Sequence, residues 1–131
     1  FEPTKNTFDK LSKNIQLNQF KNISAYNFGL GRSEAEFPIH QFQEGNDGAN
    51  RIIMNSETSQ NKVLEIIKIK NLDSISSEIP KIDLIKIDVE GFENEVIEGA
   101  LNYIEKVKPI LIIELIDKNL KVNASSATEL V

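Results

Sequence analysis

Asp88 and Glu90 carry the most chemistry in this chain. They close the run Ile82-Asp83-Leu84-Ile85-Lys86-Ile87-Asp88-Val89-Glu90-Gly91, and Glu114 stands near the end of a second apolar run, Ile110 to Leu115. Carboxylates grouped this way can take the proton of a hydroxyl or hold a hard divalent cation through oxygen ligands. On an extended strand Lys86 and Asp88 project to one face while Ile85 and Ile87 face the other. A lysine and an aspartate in an otherwise buried strand need partners, because an unpaired buried charge is costly, and Glu114 is the expected additional one. A metal held by Asp88 and Glu114 is a minority reading, and no metal is assigned.

The elements that must position these groups follow from the pattern around them. Ile82 to Val89 is a β-branched apolar run and reads as a buried strand. A helix-period pattern follows from Phe92 to Val107, with Phe92, Val96, Ala100, Leu101 and Ile104 toward the sheet. Pro109 blocks that helix, and Ile110 to Leu115 reads as the next buried strand. Upstream, Phe1-Glu2-Pro3 reads as the end of a strand, and Thr4 to Asn18 as a helix with Phe8, Leu11 and Ile15 on one face and Thr4 or Thr7 at its cap. Ile23 to Leu30 reads as a strand ending in Gly29 and Gly31. Ala35 to Phe42, weakened by Pro38, reads as an edge strand or hairpin arm with Arg51 to Met54 pairing back. Gln43 to Asn50 and Ser56 to Asn61 read as connections. Val63 to Lys70 is a strand, and Leu72 to Ile79 a short helix capped at Asn71 or Asp73. Ile116 to Ser126 reads as polar loop and Ala127 to Val131 as the first turn of a helix.

Strands alternating with helices imply a parallel sheet with right-handed crossovers. Ligands of such sheets bind beyond the carboxyl ends of the strands, where Asp88 and Glu90 sit. Both ends of the chain fall inside this rhythm, so residues 1–131 read as the middle portion of a larger domain.

Composition narrows the function. The net charge of -5 works against nucleic-acid binding, which needs a surplus of Lys and Arg. The absence of cysteine excludes disulfides and thiolate metal sites and fits a cytoplasmic protein. The longest apolar run, Ile110 to Ile116, is broken by Glu114 and too short for a bilayer, so no membrane partner is expected. The solitary His40 is expected on the surface; Asn50 and Arg51 follow a loop that could reach an acceptor substrate, with a solvated turn the preferred reading. Asn22-Ile23-Ser24 and Asn123-Ala124-Ser125 fit glycosylation acceptors, a pattern that arises easily by chance.

Several of these segments, taken in order, resemble the FkbM-type methyltransferases, a branch of the S-adenosylmethionine-dependent Rossmann-like enzymes. The matching residues are Phe1-Glu2-Pro3, Asn6-Thr7-Phe8 and Leu11, Asn14-Ile15 through Leu17-Asn18, Ile82 through Gly91, Glu95-Val96, Gly99-Ala100, and Pro109 through Glu114. The resemblance implies a Rossmann-like α/β fold, a mostly parallel sheet with helices on both faces, here without its first and last strands. It implies S-adenosylmethionine as cofactor and a hydroxyl of a small molecule or sugar as acceptor. In that reading Glu2 holds the ribose, Phe28, Gly29 and Leu30 border the adenine, Asp88 and Glu90 are the catalytic pair at the reacting end with Asp88 also contacting the cofactor, and Lys86 and Glu114 lie on the substrate side. Two other functions fit the same residues: a non-catalytic Rossmann-like scaffold, and a nicotinamide-dependent oxidoreductase using Glu2 on the NAD ribose. The Lys-Ile-Asp-Val-Glu-Gly strand end argues against the last.

Overall fold

The computed structural model describes residues 1–46, 49–54 and 61–130. Most of the connection read over Ser56 to Asn61, and the Asp47-Gly48 part of the loop before Asn50, lie outside the described residues. The described residues form two sheets. The larger has the order β1 (Gly29–Leu30), β4 (Val63–Lys70), β2 (Ala35–His40), β3 (Arg51–Ile52); the smaller pairs β5 (Leu84–Ile87) with β6 (Ile110–Ile113). The α/β alternation is present, but the mostly parallel sheet is not. β1 runs parallel to β4 and β5 to β6, whereas β2 is antiparallel to both β4 and β3. Four residues separate β1 from β2. That is too short for a crossover helix, which needs a dozen or so residues, so the chain must come back antiparallel. Pro38 is tolerated because β3 pairs only with Ile39 and His40, leaving the Pro38 edge open.

The helices are shorter than their patterns suggest. α1 (Lys5–Leu17) starts at Thr4, and its last carbonyls are closed by Gln19 at φ 54, with the Phe20 N–H on the Ile15 carbonyl and the Gln19 N–H on that of Gln16. It has no buried residue, so the Phe8, Leu11, Ile15 face lies only partly covered. α2 (Leu72–Ile75) is capped by Asn71, whose side chain accepts from the Ser74 N–H at 3.1 Å. Asp73 caps a different helix: its carboxylate accepts from the N–H groups of Asn102 at 3.1 Å and Tyr103 at 2.7 Å, in the first turn of α4 (Leu101–Val107). The single helix expected from Phe92 to Val107 is broken at Gly99 and Ala100 into α3 (Glu93–Glu98) and α4. The turn after β1 packs there, its Arg32 guanidinium pairing with Glu95 at 3.1 Å and Glu98 at 2.5 Å. Leu101 consequently turns outward and Tyr103 inward, its hydroxyl accepting from the Ile82 N–H at 2.7 Å. The segment after β6 is helical rather than loop, with α5 (Asp117–Leu120) and two 3-10 turns, Lys121–Asn123 and Ala127–Glu129.

Ile39, Ile52, Ile67, Ile69, Ile87, Phe92 and Val96 form the core that joins both sheets to α3. Burial is one-sided. Ile85 and Ile87 face this core, but Leu84 and Lys86 on the same strand and Ile110 and Ile112 on β6 are exposed, Ile110 by 65%. The expectation of strands buried on both faces therefore fails for β5 and β6 in the described residues. Phe1 to Pro3 is not in a strand, joined to the next segment by one backbone bond from the Glu2 N–H to the Tyr26 carbonyl. The strand expected over Ile23 to Leu30 contracts to β1. His40 is 2% exposed, not a surface residue, because the β2 end carries it under Asn61, whose carbonyl lies 3.3 Å from Nδ1. No helix among the described residues is long and apolar enough to cross a membrane.

Candidate active site

β5 ends at Ile87, and the next four residues make a tight turn that presents Asp88 and Glu90. Glu90 and Gly91 both take positive φ, 54° and 101°. A non-glycine residue in that region costs about 1–2 kcal/mol, so its surroundings must hold it. They do so from three directions. Glu93, 3% exposed at the start of α3, accepts from the N–H groups of Val89 at 3.2 Å and Gly91 at 3.1 Å through one oxygen. Glu90 Oε2 accepts from the Asn119 amide of α5 at 2.7 Å and from Arg51 of β3 at 3.3 Å. Asn123 Nδ2 donates to the carbonyls of both Ile52 and Gly91 at 3.1 Å. Gly91 is required at its position because a Cβ would overlap the Asn119 carbonyl.

Asp88, Glu90 and Glu114 come together, with one oxygen of each within 4.8 Å of the others. The parallel pairing of β5 and β6 does this, since the Glu114 N–H continues the ladder onto the Ile87 carbonyl at 3.0 Å. Lys86 Nζ lies 2.5 Å from Asp88 Oδ2, on the face the strand pattern predicts, but the pair is exposed rather than buried. The Lys86 ammonium holds the Asp88 carboxyl below the usual aspartate range. Asp88 in turn raises Glu114, first through a shared hydrogen bond and then through like-charge repulsion. As pH rises Asp88 therefore gives up its proton before Glu114 does. Such a cluster has the oxygen chemistry to ligate a hard cation, and equally to accept a proton.

These opposite shifts have opposite effects on stability. Lowered Asp88 contributes stability above its ordinary value, lost as pH falls through the lowered one. Raised Glu114 contributes below its ordinary value, and that contribution is lost as pH rises through the raised one. Glu114→Gln removes the repulsion, so its melting temperature is expected to exceed the wild type's at about pH 7 and to match it at about pH 3, where Glu114 is protonated anyway. An equal gain at both would show that charge is not the cause.

A cavity of about 750 Å³ opens beside the turn. Glu2, Gly29, Leu30, Lys86, Asp88 and Glu90 all line it. Phe28 and Glu114 are not among its lining residues. Phe28 packs against Phe1 and Tyr26, with the Lys70 ammonium 4.9 Å above its ring. Glu2 Oε1 accepts from the Thr4 N–H at 2.9 Å and the Thr4 hydroxyl at 2.5 Å, so one of its oxygens shapes the helix start. Gly29 forms wall without a side chain, where a Cβ would come within 2.7 Å of Ile69 Cδ1. Asn50 lines the cavity too. Arg51 is no solvated turn residue: its side chain is 16% exposed, paired with Glu90 and stacked 4.4 Å over Phe42. Sequence reasoning misses Arg51, Glu93, Asn119 and Asn123 as supports of the turn. Only Glu93, two residues beyond Gly91 in a helix's first turn, leaves a local signal. Asn123 is buried with its amide engaged, which removes it as a glycosylation acceptor.

The description "Methyltransferase FkbM domain" matches residues 1–127 of the chain. The chain belongs to the FkbM methyltransferase family. The match spans both Glu2 and the Asp88–Gly91 turn, so the whole wall of the cavity lies inside the FkbM domain. Two curated relatives carry related descriptions. One, "Methyltransferase 1" of Beauveria bassiana (strain ARSEF 2860), is 26% identical over 117 residues, 76% of this chain and 47% of its own length. The other, "Hexuronic acid methyltransferase AglP" of Haloferax volcanii, is 27% identical over 112 residues, 86% of this chain and 44% of its own length. The FkbM chain thus spans about half the length of these relatives. No solved structure matches it.

Proposed function

We propose that this FkbM domain belongs to an S-adenosylmethionine-dependent O-methyltransferase of Rossmann-like type, acting on a hydroxyl of a sugar or another small molecule. The observation that carries the reading is the cavity shared by Glu2, Gly29, Asp88 and Glu90. Its volume suits a ligand of cofactor size, for which pockets run about 300–1,000 Å³. The residues fit the group. A carboxylate at Glu2 suits ribose hydroxyls, and Leu30, Ile69, Leu72 and Ile85 give apolar wall between polar ends. The hexuronic acid named for one relative supports a sugar acceptor.

S-adenosylmethionine, when bound, supplies an electrophilic methyl group. The protein's part is positional and electrostatic. Glu90, fixed by Arg51 and Asn119, keeps Oε1 outside these bonds and can hold an acceptor hydroxyl in place. Ionised Asp88 receives the acceptor proton. A weak base suffices, because the attacking oxygen becomes strongly acidic as its new bond forms. Lys86 keeps Asp88 ionised. Calorimetric titration of S-adenosylhomocysteine into the protein as its gene encodes it, with NAD as control, tests the reading. Binding of the former, weakened about tenfold by Glu2→Ala, is the expected result, the loss of one hydrogen bond to a charged group. Binding of NAD in its place would make the domain an oxidoreductase, and binding of neither would leave a scaffold.

A further inference from the structure

We infer that Glu93 is a positioning residue for the transfer: its carboxylate aims the side chain of Glu90 at the hydroxyl of the acceptor sugar without touching either ligand. The inference rests on the O-methyltransferase reading above and adds to it a residue that acts through another. Glu93 is not among the residues that line the cavity, whereas Glu90 is. It is 3% exposed, and one of its oxygens takes the N–H groups of Val89 at 3.2 Å and Gly91 at 3.1 Å, the two neighbours of Glu90. Backbone N–H groups on either side of a left-handed residue converge on one point. A side chain of the protein itself fills that point here, so the two bonds and the positive φ of Glu90 form a single constraint.

The other supports act elsewhere. Arg51 and Asn119 hold Glu90 Oε2, and Asn123 holds the Gly91 carbonyl. Glu93 is the group among the described residues that receives the flanking N–H groups, and with them it fixes the backbone torsion from which the Glu90 side chain departs. A shift of Glu90 to the right-handed region would turn its Cβ to a new direction, and a reacting group misplaced by about 1 Å loses up to about a hundredfold in rate. The position also carries a cost that packing does not explain. Glu93 Oε2 is buried with no hydrogen-bond donor among the described residues. A half-satisfied buried carboxylate destabilises the fold, and such costs persist at functional sites, where the conformation they enforce is used.

The test measures transfer from S-adenosylmethionine to methyl glucuronoside by the protein as its gene encodes it, together with S-adenosylhomocysteine affinity. Glu93→Ala is expected to lower kcat about ten- to a hundredfold. The KM of the glucuronoside and the affinity for S-adenosylhomocysteine should stay within about threefold of wild type. Glu93→Gln, whose amide oxygen accepts the same two N–H groups, should bring kcat back to within about threefold. The deciding measurement is a double-mutant cycle. Glu90→Gly slows the transfer by itself, and adding Glu93→Ala to it should cost less than about twofold more, because no carboxylate is left to aim. A loss as large in the Glu90→Gly background as in wild type overturns the inference, since Glu93 then acts on something other than Glu90. An unchanged kcat in Glu93→Ala overturns it as well. So does a Gln variant as slow as the Ala variant, or an S-adenosylhomocysteine affinity that falls in step with kcat, the mark of a collapsed cavity. Where Glu93→Ala does not fold, Glu93→Asp, one methylene short of the N–H groups, carries the same comparisons. No transfer to the glucuronoside by a protein that binds S-adenosylhomocysteine removes the sugar acceptor and this inference with it. Failure to bind S-adenosylhomocysteine instead defeats the methyltransferase reading itself.

Discussion

Changing Asp88 to Asn is expected to slow methyl transfer about 10²–10⁴-fold while S-adenosylhomocysteine affinity stays within about threefold. The amide keeps the shape of the carboxylate, so cavity and turn persist, but it cannot receive the acceptor proton. The loss should therefore fall on kcat more than on KM. The pH profile adds a sign. Because Lys86 holds Asp88 below the usual aspartate range, wild-type activity should remain flat as pH falls through that range, with its acid limb below it. In the Asp88→Asn protein no such limb should exist. A drop of less than tenfold, or an unchanged limb, would assign the base to another group, with Glu114 the nearest alternative.

The second large effect concerns stability. Gly99→Ala is expected to destabilise the domain by about 2–4 kcal/mol, read as a fall in the urea midpoint with an unchanged slope. A Cβ at Gly99 would collide with the Gly31 carbonyl and crowd Arg32 Cα, both backbone atoms that cannot rotate away. The turn after β1 would have to lift off the junction of α3 and α4. That would strain the ion pairs of Arg32 with Glu95 and Glu98 and the bond from the Asp73 N–H to the Gly99 carbonyl at 3.0 Å. Gly45→Ala is the internal control: Gly45 has a positive φ, 77°, but a Cβ there meets nothing, and only the conformational cost of about 1 kcal/mol remains.

What could be read from the sequence was local. A β-branched run broken at Asp88, Glu90 and Gly91 announces a strand end, and alternation along Lys86, Ile87 and Asp88 assigns the lysine and aspartate to one face without knowledge of a neighbour. Pairing Glu114 with them needed only the inference that the flanking strands are adjacent and parallel. What escaped was decided elsewhere in the chain. The helix-period pattern from Phe92 to Val107 has no internal sign of a break, because the break comes from the approach of Gly31 and Arg32. His40 reads as a surface residue until the β2–β4 register brings Asn61 over it. Arg51, Asn119 and Asn123 support the Asp88–Gly91 turn across separations of 39, 29 and 32 residues, and polar residues in stretches without periodicity look the same whether solvated or engaged. The apolar residues of β5 and β6 misled in the other direction, since a run such as Ile110-Leu111-Ile112-Ile113 gives no indication that one of its faces stays open.

The bridge made by Asn123 also bears on the order in which the molecule assembles. Its amide joins the carbonyls of Ile52 and Gly91, residues 71 and 32 positions earlier in the chain. Contacts of such sequence separation form late, because the loops they close must first surrender their entropy. β5, β6 and their connecting helices can pair from nearby sequence alone. The conformation of Glu90 cannot settle until Lys121–Asn123 has docked. During synthesis, a nascent chain that has exposed everything up to Leu115 would hold β5 paired with β6 and an unfinished Asp88–Gly91 turn, and the candidate site would assemble only once Lys121–Asn123 had docked.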